Sequence, residues 1–327
     1  MTPTALRSTV FILAAGLADL LAFTHDTHAA DKYPTRPIRI VQGFSAGGVS
    51  DTLARIAGEK LGERLGQPVV VEGRSGGGGI VGMTTVAEAT PDGYTLLLGQ
   101  TSITIANSRT DKPRFDPMKE FVPVSMFGTA PSILLAHPSA PIKSVKDLIA
   151  LAKAKPGTVN CATSGIGTTN DLGVHLLNSM TGGKIVPVPY KGSGPSMNAA
   201  LGNETPLSFA PLLPAIPHVQ NRRLVPLGMS GLKRNPVLPD VPAIAEEVPG
   251  YQADGFFGIV ASRKVPKPII ERLHREFNAV LALPEIQKNF TRQGLEIEIM
   301  TIPQFAEFLE RDAKRWSELV RKAGLVF

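Results

Sequence analysis

Ile38-Arg39-Ile40-Val41-Gln42-Gly43-Phe44-Ser45-Ala46-Gly47-Gly48-Val49-Ser50-Asp51-Thr52-Leu53 is the stretch whose reading decides the fold. Ile38 to Gln42 form a short β-rich run, and Gly43 to Gly48 a glycine-rich turn. From Asp51 onward the apolar residues Leu53, Ile56, Ala57 and Leu61 recur at spacings of three and four. The sequence therefore predicts a strand, a tight turn and a helix in succession. Such a turn aims backbone N–H groups and the positive end of a helix dipole at one point, which suits an anion such as a carboxylate. The same residues satisfy the nucleophile-elbow pattern as Gly43-x-Ser45-x-Gly47, in which a serine is exposed on a sharp strand-to-helix turn. From these residues alone both readings stay open.

The pattern repeats along the chain. Further strands are expected at 69–72, 95–98, 133–136, 159–163, 185–188, 207–210, 224–229 and 258–261, alternating with helical segments. That alternation indicates an α/β protein with mostly parallel sheets. Three more strand ends carry small, hydroxylic, backbone-exposing loops: Gly73-Arg74-Ser75-Gly76-Gly77-Gly78-Gly79, Ser164-Gly165-Ile166-Gly167-Thr168-Thr169 and Tyr190-Lys191-Gly192-Ser193-Gly194. In open α/β sheets the ligand crevice lies beyond the carboxyl ends of the strands, so two lobes facing each other across these loops would enclose a small polar anion.

Other signals are structural. Ser144 with Asp147 opens a helix over Leu148-Ile149-Ala150-Leu151-Ala152, which Pro156-Gly157 closes. Thr301 with Gln304 reads as a capping box for a last long helix with an inner stripe of Phe305, Phe308, Leu309 and Trp316, which assigns Trp316 to the core. Two proline-rich runs, Pro211 to Pro217 and Pro236 to Pro242, read as rigid loops.

Composition narrows the function classes. Residues 1–30 read as an export leader, with Arg7, an apolar run from Val10 to Ala18 and small residues at Ala29 and Ala30, near which cleavage is expected. Asp19 interrupts the apolar run, which is too short to span a bilayer. Without the leader the chain keeps 33 Lys and Arg against 26 Asp and Glu, a net charge of +7. The basic residues are scattered without interleaved aromatics, which argues against a nucleic-acid partner. Cys161 is the single cysteine, so no internal disulfide forms and a large core must hold the fold. About 297 residues is more than one core usually serves, so two lobes are expected. His137, His175, His218 and His274 are far apart in sequence, and no metal-ligand spacing or nucleotide-binding fingerprint occurs, so no metal or cofactor is expected. A hydrolase would need Asp240 or Asp254 followed by His274 to complete the triad of Ser45. That order is available, yet His274 falls in a helical segment, and little chain precedes Ser45 to build an oxyanion-hole loop.

The chain resembles the Bug family of periplasmic solute receptors for tripartite tricarboxylate transporters over nearly its whole length. The likeness is carried by Tyr33-Pro34-x-x-Pro37-Ile38, Gly47-Gly48-x-x-Asp51, Pro91-Asp92-Gly93-Tyr94-Thr95, Ala152-Lys153-Ala154-x-Pro156-Gly157, Val188-Pro189-Tyr190-Lys191-Gly192, and Leu238-Pro239-Asp240-Val241-Pro242 with Glu246. The resemblance implies a type II periplasmic-binding fold: two lobes built on mixed α/β sheets, closing on a carboxylate-bearing solute that is then handed to integral-membrane subunits. The solute would be a dicarboxylate, a tricarboxylate, an acidic amino acid or an aromatic acid, and the protein a monomer without enzymatic activity. It further implies a first lobe of residues 31–130 plus 254–327 and a second of 131–253. Carried over position by position, the ligand contacts would be Phe44, Ser45, Ala46, Gly47, Gly48 and Asp51 in one lobe, with Gln100, Thr101 and Ser102 after the third strand. In the other they would be Ser164, Gly167, Thr168, Thr169, Tyr190 and Gly192. Asp171 departs from the family, which has histidine there. It either faces the ligand, disfavouring a second carboxylate, or serves as an early-helix acid. A sensor passing its bound state to a signalling partner would share this fold.

Overall fold

The computed structural model describes residues 33–44, 46–109 and 114–325. The leader 1–30 and Ser45 lie outside the described residues. Eleven strands are described: β1 Ile38–Gln42, β2 Val69–Gly73, β3 Thr95–Gln100, β4 Phe121–Ala130, β5 Ser132–Ala136, β6 Val159–Thr163, β7 Ile185–Pro189, β8 Leu207–Pro211, β9 Val225–Met229, β10 Gly255–Ser262 and β11 Glu296–Ile297. They form two sheets, ordered β11-β4-β10-β3-β1-β2 and β7-β6-β8-β5-β9. The helices of eight residues or more are α1 Val49–Leu65, α2 Ile80–Ala87, α3 Val145–Ala154, α4 Thr169–Thr181, α5 Ser193–Leu201, α6 Leu212–Gln220, α7 Lys267–Leu281, α8 Pro284–Arg292 and α9 Ile302–Ala323.

The sheets are mixed, as the resemblance implies, which corrects the mostly parallel pairing expected from the alternation of strands and helices alone. β1 runs parallel to β2 and β3, and β6 to β7 and β8. β10 is antiparallel to β3 and β4, β11 to β4, and β5 to β8 and β9. In the first sheet β4 carries the chain out to the second sheet and β10 brings it back, while β11 adds a short antiparallel edge strand on β4. β4 passes through Pro131 directly into β5, and the segment after β9 returns as β10. β4 was absent from the expected strands because Pro123 and Gly128 punctuate it. Here Pro123 sits beside a register shift against β10, where the ladder tolerates a residue without an N–H.

Each sheet has its own core. Leu53, Ala57 and Leu61 of α1 pack with Ile38, Ile40 and Leu98 against α7, while Leu134, Cys161, Leu172, Phe209 and Tyr251 fill the second lobe. The caps read from sequence are present: Ser144 Oγ accepts the Asp147 N–H at 3.1 Å, and Thr301 and Gln304 form the reciprocal box. The run Pro211 to Pro217 is not a loop; from Leu212 it is α6. Pro214 falls in the first helical turn, where N–H groups have no intrahelical acceptor anyway, and only Pro217 removes an interior bond. Burial pushes the Cys161 thiol pKa up, so it stays protonated and unreactive.

The last helix spans both cores. Phe305 and Leu309 pack with Met126 and Phe256 of the first sheet, whereas Trp316, Leu319 and Val320 join the second core. Between them, buried Asp312 accepts Thr104 Oγ1 at 2.6 Å and pairs with Arg315, which also donates to the Gln252 carbonyl.

Candidate functional site: an interlobe cleft

A cavity of about 430 Å³ separates the two sheets. One wall comes from the loop after β1, Gly78, the end of β3 and the start of β10, and the other from the loops after β6, β7 and β8. A larger groove of about 680 Å³ runs along edge strand β2 and α1. It is shallow, and no strand-end loop converges on it.

Of the described helices of eight residues or more, α1, α4, α5 and α6 begin at the cleft, α6 after Pro211 without a side-chain cap. α1 starts after Gly48, which is extended (φ −79°, ψ 176°) and gives no side-chain cap. α5 starts after Gly192 (φ 109°), likewise uncapped. α4 starts after Thr168, whose Oγ1 accepts the Asp171 N–H at 3.4 Å. The residues lining the cleft beside these termini include Arg109 and Lys191 and no Asp or Glu among those described. Helix N-termini, two cations and no acid favour negative charge. Thr101 Oγ1 and Gln100 Nε2, from residues that line the cleft, are buried without a protein hydrogen-bond partner among the described residues, and such groups call for a polar ligand or water.

The cleft brings together Phe44, Ala46, Gly47, Gly48, Gln100, Thr101, Ser102, Ser164, Gly167, Thr168, Thr169 and Gly192. Asp51 and Tyr190 do not line it. Asp51 is 5 % exposed, and its Oδ2 accepts the Gly47 N–H at 3.1 Å and Arg55 Nε at 2.9 Å. It therefore shapes the loop from behind. The hydrogen bond from Arg55, with that from Gly47, holds its pKa below the usual carboxylate range. The Tyr190 hydroxyl turns away toward Glu204.

Asp171 occupies the matching place in the second lobe. It is 3 % exposed; its Oδ2 accepts the Gly167 N–H at 3.0 Å, and its Oδ1 accepts Thr163 Oγ1 at 3.2 Å. It is a loop-shaping acid and not part of the cleft lining. Burial raises its pKa, opposed by the Gly167 amide, His175 and Thr163.

Several lining residues carried no sequence signal of their own. Arg109 lies after β3 beside Gly78, where a Cβ would come within 2.7 Å of its guanidinium, so the glycine run makes room for the arginine. Ser132 Oγ accepts Asn170 Nδ2 at 2.8 Å, and Asn170 Oδ1 accepts Ser164 Oγ at 3.1 Å. This chain fastens the loop after β6 to the crossing strand β5. Phe256 and Phe257 bring apolar surface from β10.

Among the described residues, the histidine that a hydrolase triad would need is not brought to the cleft. His274 lies on α7, outside the cleft, with Nδ1 2.6 Å from the Val124 carbonyl and Nε2 3.2 Å from Asn278 Nδ2. Asp254 is taken up by Ser230 at 2.6 Å and Gln252 at 3.4 Å.

Two α/β lobes on mixed sheets, joined by crossing strands around a polar cleft, define a two-lobed solute-binding protein. The profile described as tripartite tricarboxylate transporter family receptor matches residues 53–325. Protein BugT of Bordetella pertussis (strain Tohama I) is 34 % identical over 318 residues, covering 96 % of this chain and 95 % of its own. A protein of R. palustris solved with adipate superposes with a TM-score of 0.83 at 31 % identity, covering 90 % of this chain and 99 % of its own. The periplasmic binding protein BugD does so with a TM-score of 0.80 at 31 % identity, covering 90 % and 99 %. The chain belongs to the tripartite tricarboxylate transporter receptor family.

Proposed function

We propose that this protein is a periplasmic receptor that binds a small carboxylate in the interlobe cleft and delivers it to the membrane subunits of a tripartite transporter. The single observation that carries the reading is the cleft itself: helix N-termini from both lobes, with Arg109 and Lys191 and no lining acid among the described residues. The adipate carried by the R. palustris relative fits this chemistry. The receptor acts as a monomer and without catalysis. The leader exports it, and among the described residues no helix is long and apolar enough to cross a membrane.

Closure is the working step. A ligand touching both walls stabilises the closed arrangement in proportion to its differential affinity for it. Gln100 and Thr101 from one lobe and Thr169 and Gly192 from the other supply the contacts, and Ser45 donates to the ligand as part of the first loop. The family is that of a transport receptor, and no observation here favours a signalling role.

The test is a thermal-shift screen of the purified protein against aliphatic dicarboxylates, citrate-like acids, acidic amino acids and aromatic acids. A ligand at about 100 times its Kd stabilises the native state by roughly 2.7 kcal/mol. A selective rise for one class is expected. A folded protein that responds to none of the panel, or that hydrolyses activated esters in a manner abolished by Ser45→Ala, would overturn the reading.

A further inference from the structure

The loops after β1 and β6 share one construction. In each, an aspartate in the first turn of the helix reaches back four residues to a glycine N–H: Asp51 to Gly47 at 3.1 Å and Asp171 to Gly167 at 3.0 Å. In each, the residue one helical turn further on is the acid's potential counter-cation. For Asp51 it is Arg55, permanently charged and in direct contact at 2.9 Å. For Asp171 it is His175, whose Nε2 stands 4.0 Å from Oδ2. Burial lowers the His175 pKa, while Asp171 opposes that shift.

A buried carboxylate behind an anion-binding loop repels the anion unless it is neutralised. The first loop meets this condition through Arg55. The second meets it only when His175 is protonated or when Asp171 itself takes up a proton, the form that burial favours. Once ionised, with both oxygens accepting hydrogen bonds, Asp171 has no permanent counter-charge. Lys191 lies on the same side of the cleft but is solvent-exposed, where its charge is screened within about 8 Å at physiological salt.

Building on the receptor reading, we infer that the Asp171–His175 pair is a specificity determinant. With Asp171 ionised, it leaves negative charge behind the second loop, so the site takes one carboxylate on the Gly47 loop and a neutral hydrogen-bonding end, such as a hydroxyl, carbonyl or amide, on the Gly167 loop. Hydroxyls and amides suit Ser164, Thr169 and Asn170 there, which both donate and accept.

Isothermal titration at pH 7.5 with the matched pairs succinate and butyrate, and adipate and hexanoate, tests this. The readout is the ratio of dicarboxylate to monocarboxylate affinity. His175→Arg copies the Arg55 arrangement, and Asp171→Asn removes the charge while keeping an acceptor for Gly167. Both should raise the ratio by about fivefold, the order expected for one unit charge at partly screened range. His175→Gln should leave it within about twofold of the parent, because imidazole is mostly neutral at this pH. An unchanged ratio in both charge variants, or equal loss of both acids in Asp171→Asn, would overturn the inference while leaving the receptor reading intact. Binding of none of the four acids by the parent protein would overturn both.

Discussion

The loop after β1 and the loop after β6 face each other across the cleft with the same aspartate-to-glycine lock, yet they are supported differently. The first is wedged: a Cβ on Gly43 would lie 2.8 Å from the Gly79 backbone, and one on Gly82 would lie 2.8 Å from Gly43. Gln42, at the end of β1, adds a side-chain oxygen that accepts the Phe44 N–H at 2.9 Å and the Ser50 hydroxyl at 3.1 Å. The second loop is hydrogen-bonded to β5 through Asn170 and Ser132, and the neighbouring turn at Gly192 and Gly194 has open space around it. One wall is fixed by backbone packing and a permanent ion pair, the other by side-chain hydrogen bonds and a titratable partner. A receptor that must admit and release its solute has reason to keep one wall fixed and the other adjustable.

The contrast can be broken most directly at Gly43. Gly43→Ala drives a methyl into backbone that cannot rotate away, and a loss of about 2–3 kcal/mol is expected, read as a fall in the midpoint of urea unfolding. An undisturbed midpoint would mean that the two glycine loops are not wedged. Asp51→Ala comes next. It strands the Gly47 amide and frees Arg55, which should cost about 1–2 kcal/mol and weaken carboxylate binding roughly tenfold, and titration calorimetry would measure the second effect.

A pH titration sharpens the comparison without any substitution. The Asp51 pKa is depressed, so its stabilising contribution is present above the unfolded value and is lost as pH falls through the folded one. The Asp171 pKa is raised, so the fold favours its protonated form, and that contribution is lost as pH rises through the folded value. Followed by amide NMR on acidification, the Gly167 resonance should therefore move at higher pH than the Gly47 resonance. Simultaneous movement would show that the two locks are electrostatically equivalent. The smallest effect is reserved for Gly194→Ala in α5, where nothing lies within 4 Å of the added methyl. Stability should stay within about 0.5–1 kcal/mol of the parent, with any change toward greater stability because alanine favours helix.

Much of the site was legible because its elements are local. Strand, glycine turn and helix follow one another within about fifteen residues, and their periodicities and caps are written into consecutive positions. Arg109, Ser132 and Asn170 were not legible as cleft residues, since each reaches the site through contacts between distant segments. Asp51 read as a ligand contact because the motif places it beside the loop; only the direction of its side chain puts it behind. β4 was hidden by Pro123, and α6 by the prolines of Pro211 to Pro217, because breaker residues lose their meaning at a register shift or in a first helical turn.

The sequence by itself determined the α/β class, the strand-end loops, the helix caps and the family, all of which depend on residues near one another along the chain. Only the tertiary structure decided that β4 and β10 run antiparallel in the first sheet, that α9 reaches both cores, and that Asp51 and Asp171 lock matching loops. Those facts depend on which segments meet after folding. Burial, pairing and side-chain direction are properties of that meeting, and no local pattern encodes them.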